Sequence, residues 1–90
     1  MMRIKAGSLK CVVLAGADKR AVARQVLQTR AGEEDVRPFG ASAVLVHTDE
    51  EASTVRDWLH GQGAVLVVEF EKWSGYGGEV PGEWLLARGH

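Results

Sequence analysis

Three short runs of apolar and β-branched residues, separated by two stretches with helical spacing, constrain this 90-residue chain more than any other feature. The runs are Leu9–Ala15 (within LKCVVLAG), Ser42–Thr48 (SAVLVHT) and Ala64–Trp73 (AVLVVEFEKW). The first two are apolar at successive positions, as expected of central strands buried on both faces. The third alternates Val68, Glu69, Phe70 and Glu71 in its second half, so one of its faces meets water.

The connecting segments carry helix signals. Asp18 is placed to cap a helix running to about Arg30, with Val22, Ala23, Val26 and Leu27 as its apolar stripe. Ala31-Gly32 closes it. Thr48 and Glu51 have capping-box spacing and open a second helix that buries Ala52, Val55 and Leu59, with Trp58 beside the stripe, and ends at Gly61 or Gly63. Between the helices, Gly32–Ala41 is ambiguous. DVRPF can form a short strand, and Pro38 confines it to a sheet edge because proline has no ladder donor. At the N-terminus, Gly7-Ser8 reads as a hairpin turn between Met1–Ala6 and Leu9–Ala15.

This order predicts an α/β (α+β) fold, a ferredoxin-like βαββαβ plait with one sheet and two helices on one face. The alternative is a three-stranded parallel βαβαβ sheet, which two helices cover poorly. The plait places Leu9–Ala15 and Ser42–Thr48 at the centre and Ala64–Trp73 at an edge, where Glu69 and Glu71 stay solvated. The length predicts one domain over 1–90, with a core over about 9–73 and a glycine-rich C-terminal extension over 74–90.

The segment RPFGASAVLVHTDEEASTVRDWLHGQGAVLVVEFEK resembles the second half of an RNA recognition motif. Arg37 and Phe39 match the opening of that family's RNA-contact strand, followed by an acidic helix start and a closing Val-Glu strand. The positions after Gly40 depart from the pattern, because Ala41, Ala43 and Leu45 cannot stack bases, and KCVVLAG also lacks the family's aromatic. The resemblance implies the plait topology more than the family's function.

Charge narrows the partners. The formal net charge is −1, which argues against a dedicated nucleic-acid binder or an anionic-membrane binder. The balance is uneven, with eight Lys or Arg against four acids in residues 1–37, and three against eight in 38–90. Opposite halves of this kind can dock on each other between copies. The apolar run Cys11–Ala17 is far too short to span a bilayer, and one cysteine permits no internal disulfide. We expect a cytoplasmic protein with no membrane partner.

Candidate site residues fall in two groups. Lys19 and Arg20 stand where a strand meets a helix, with Arg24 one turn on, and neither nucleotide-binding glycine motif accompanies them. Arg37 and Phe39 lie on the candidate edge strand, and Trp73, Tyr76 and Trp84 belong to the glycine-rich KWSGYGGEVPGEW. Aromatics on such a loop can clamp a ligand, or cover the open face of the sheet as a loose hairpin. Metal-ligand spacing is absent, and a helix separates His47 from His60. No catalytic residue, metal or cofactor is assigned.

The resulting expectation is a small non-catalytic binding or assembly module that self-associates through the open sheet face or the Ala64–Trp73 edge. The alternatives are a weak single-strand nucleic-acid binder, or a small enzyme at an oligomer cleft using His47 and Asp49.

Overall fold

The computed structural model describes residues 7–77 and 80–90. Their elements, in chain order, are β1 (Ser8–Leu14), α1 (Arg20–Ala31), β2 (Val36–Phe39), β3 (Ala43–Thr48), α2 (Ala52–Trp58), β4 (Val65–Phe70) and α3 (Gly82–Ala87). The four strands form one sheet in the order β2-β3-β1-β4, and each neighbouring pair is antiparallel. The parallel alternative is therefore wrong. Both apolar runs lie inside the sheet because each has a face to bury on either side.

One face of the sheet carries α1 and α2. Val12 and Leu14 from β1 and Val44 and Val46 from β3 pack there against Ala23, Leu27, Val55 and Leu59. The period-2 alternation of the strands sends the intervening residues to the opposite face. Fully burying a leucine such as Leu27 or Leu59 contributes about 2 kcal/mol, so this layer is the main source of stability. Val22, expected on the α1 stripe, is exposed. Ala23, Val26, Leu27 and Ala31 turn to the sheet.

The helix starts differ from the capping signals. Asp18 lies in a 3-10 turn over Ala17–Lys19, and α1 begins at Arg20 without a side-chain cap. The Asp18 carboxylate turns back toward Gly16, where a Cβ would stand 2.6 Å from its Oδ1. Thr48 remains in β3, paired with Ser8, and α2 starts after Glu51 with no side-chain cap. The Thr48 hydroxyl instead accepts from the Glu50 amide at 3.2 Å. The α1 ending is as expected, since Gly32 adopts φ +103° and its amide donates to the Gln28 carbonyl at 3.0 Å.

Ser8 belongs to β1 rather than to a turn, and the proposed partner strand Met1–Ala6 lies outside the described residues. Gly7 approaches the end of β3 closely. A Cβ there would meet the Thr48 carbonyl carbon at 2.9 Å and His47 Nε2 at 3.0 Å. Two helices share one face as expected, whereas the loose C-terminal hairpin needs correction. Residues 82–87 form α3, which buries Leu85 against Leu9 and Leu45 on the face that α1 and α2 leave open.

Candidate functional site

The second face of the sheet is covered along only part of its length. At the covered end, His47, Leu9 and Phe70 stand side by side on β3, β1 and β4. Leu9 and His47 are each 1% exposed, because Leu85, Trp73 and Trp84 pack around this end. At the other end, Phe39, Ala43, Val13 and Leu66 form one row across all four strands. Here exposure reaches 39% for Phe39 and Val13 and 61% for Leu66, and Val68 in the adjoining row is 41% exposed. This is an apolar strip with no element over it among the described residues.

Polar contacts on either side of the C-terminal end of α3 hold the cover. The Arg88 Nε donates to Asp35 Oδ1 at 3.0 Å, and its guanidinium lies 4.4 Å from the centre of the Trp84 ring. Arg88 also donates to the Glu34 carbonyl, which accepts Trp84 Nε1–H at 2.8 Å. On the other side, His47 Nδ1 and His90 Nε2 share a hydrogen bond of 2.8 Å, and Trp73 Nε1–H donates to the main-chain oxygen of His90 at 3.1 Å. Burial, and then the nearby His47, Arg88 and Lys10, hold the His90 imidazole below the usual histidine range.

A second polar cluster lies at the start of β1. Lys10 is 1% exposed, yet its ammonium donates to Ser8 Oγ and to the Thr48 carbonyl, both at 2.7 Å, and lies 3.4 Å from Glu69 Oε1. The Ser8 hydroxyl donates to the same carboxylate. That bond first, and then Lys10, hold Glu69 below the usual carboxylate range. Lys10 looks like the flank of an apolar run in the sequence. The cross-strand pairing of Lys10 with Glu69 is the signal that assigns its partner, and it follows once β1 and β4 are known to be neighbours.

The sequence-selected residues separate into two places. Arg24, Arg37 and Trp84 line a trough of about 640 Å3 beside the β2 edge, shared with Glu33, Glu34 and Arg88. Arg20 and Phe39 continue it around Gly40, whose carbonyl accepts from Arg20. Arg24 and Arg37 make no hydrogen bond or ion pair among the described residues. Lys19 is exposed at the entry to α1, outside the trough. Trp73 lies across the sheet as an anchor for His90, and Tyr76 is 97% exposed on the loop. Arg20, Arg24, Arg37, Phe39 and Trp84 are thus brought together at the β2 edge, Phe39 also lines a second recess with Trp73, and Tyr76 stays apart on the loop.

The acid–base candidates His47 and Asp49 line one recess of about 250 Å3 together with Thr48, Glu50 and Trp58. His47 bonds to His90, and no group of three or more potential metal ligands occurs among the described residues. Burial pushes the Cys11 thiol up, which disfavours the thiolate that a nucleophile needs. No helix among the described residues is long and apolar enough to cross a membrane. Comparison of the chain with known protein families, curated proteins and solved structures finds no match.

Proposed function

We propose that this protein is a small assembly module built on a ferredoxin-like βαββαβ plait, and that a second copy covers the bare half of its second sheet face. The observation that carries this reading is the row Phe39, Ala43, Val13 and Leu66, apolar from one sheet edge to the other. A two-fold axis parallel to the strands sets β2 of one copy over β4 of the other, so that Phe39 meets Leu66 and the contact is self-complementary. The same operation sets Arg37 of one copy over Val68 of the other, the row next to the apolar strip.

One exposed row of apolar residues supports weak association, with a dimer constant on the order of micromolar. Sedimentation equilibrium on the full chain tests this. The expected result is a concentration-dependent dimer that Leu66→Glu converts to monomer. Monomeric wild type at high micromolar concentration overturns the reading.

A second reading, weak binding of single-stranded nucleic acid, is favoured by one observation. The guanidiniums of Arg24 and Arg37, without partners among the described residues, face a common trough beside Trp84. The nearby carboxylates of Glu33 and Glu34 oppose phosphate there, which places this reading second. It predicts affinity that falls steeply with salt. Absence of binding to mixed oligonucleotides at low salt, about 50 mM, excludes it.

A further inference from the structure

Between the covered and bare halves of the second face the chain leaves a cavity of about 270 Å3. Leu9, Cys11 and Leu45 form its floor, and Phe70, Trp73 and Leu85 form its walls. It has room for roughly nine waters at liquid density, and it lies just below the usual size range of small-molecule sites. Burial keeps the Cys11 thiol protonated, so the floor is apolar throughout. Val80 and Pro81 close one side.

The walls are held in place before any ligand arrives. Trp73 is tied through its indole N–H to His90, and His90 is tied to the buried His47. Gly75 lies against Val80, where a Cβ would stand 3.3 Å from Cγ1, so the loop closes tightly at that point. A cavity with fixed aromatic walls loses little conformational freedom on binding. Its polar side chains are Lys72 and Ser74. Lys72 is exposed and has no ion-pair or hydrogen-bond partner among the described residues.

We infer that this cavity binds a compact aromatic carboxylate, with the ring between Phe70 and Trp73 over Cys11 and Leu45 and the carboxylate at Lys72. Flat rings match the two aromatic walls, which prefer offset or edge contacts. The volume limits the ligand to on the order of a dozen non-hydrogen atoms. Lys72, the one cation lining it among the described residues, selects one negative charge.

The test is an NMR titration of the isotope-labelled full chain with 2-naphthoate, in the wild type and in Leu66→Glu, so that self-association does not enter the result. The expected outcome in both is saturable binding with Kd of roughly 0.05–0.5 mM, with shifts at the Trp73 indole and at Cys11 and Leu45. Lys72→Gln, a surface change, weakens 2-naphthoate about threefold to fivefold and leaves the uncharged 2-naphthol unaffected. No saturation by about 5 mM, or shifts confined to Val13 and Leu66, overturns the site. Equal affinity for 2-naphthoate in Lys72→Gln overturns its carboxylate specificity.

Discussion

The two halves of the second sheet face use similar residues and reach opposite states. Leu9 and Leu45 at one end are buried under α3, whereas Val13 and Leu66 at the other end, drawn from the same strands or their neighbour, are open to water. Strand composition does not separate them. The difference is the reach of a six-residue helix that docks by one leucine and is held by Arg88 and His90 at its C-terminal end. Apolar character therefore marks a face that needs a cover, and the tail decides which part of it receives one from the same chain.

The strongest way to break the contrast is Leu85→Ala. It removes the side chain that α3 inserts between Leu9 and Leu45, and the cost should be about 2–4 kcal/mol. Thermal denaturation then shows a melting temperature lower by roughly 10–20 °C for a chain of this size. A melting temperature within experimental error of wild type means that α3 does not hold the covered half.

Arg88→Ala attacks the same cover from its polar end. It removes the Asp35 ion pair, the Glu34 carbonyl bond and the contact with the Trp84 ring together. Both carboxylate and guanidinium are largely buried, so the loss should be about 2 kcal/mol, mainly because the buried Asp35 carboxylate loses the Arg88 guanidinium. Urea denaturation of the variant measures it. Arg88→Lys restores only part of the loss, because an ammonium cannot form the same set of planar contacts.

A smaller effect is expected from pH. The folded His90 titrates below the unfolded histidine value of about 6.5. The unfolded chain therefore binds more protons between those two values. The stability that neutral His90 supports is fully present above the unfolded value, declines as pH falls through the interval, and falls no further from this source below the folded value. Unfolding curves between pH 7 and 5 should show this decline, and His90→Gln should flatten it. Glu69 adds a separate loss at more acidic pH, as its depressed carboxyl becomes protonated and its bonds from Ser8 and Lys10 fail.

The smallest expected change in stability lies on the bare half and makes the contrast sharper. Leu66→Ser replaces a side chain that nothing covers, so the unfolding free energy of the dilute chain should change by no more than about 0.5 kcal/mol. The same substitution removes a contact of the proposed dimer. Unchanged thermal stability with lost self-association separates the two halves cleanly. A large drop in the dilute melting temperature shows instead that Leu66 is packed within its own chain.

Much of the first layer was legible because its signals are local. Val12, Leu14, Val44 and Val46 lie in continuous apolar runs, and Leu27, Val55 and Leu59 recur at helical spacing, so strands and helices follow from periodicity. The candidate site was legible only in part. Arg24, Arg37 and Trp84 were singled out by residue type, but their meeting in one trough depends on α3. The helix starts were misread because Thr48 has two competing uses, and its ladder position opposite Ser8 prevailed over a cap on α2.

The sequence by itself determined three features of this protein: alternating strand and helix segments, central placement of the two most apolar strands, and a surplus of apolar surface on the sheet. Tertiary structure decided which half of the second face is covered, why Lys10 can be buried, and where the cavity beneath Trp73 lies. A helix as short as α3 is not stable alone in water. It exists because Leu85 finds an apolar floor and because His47 and His90, 43 residues apart in the chain, meet across it.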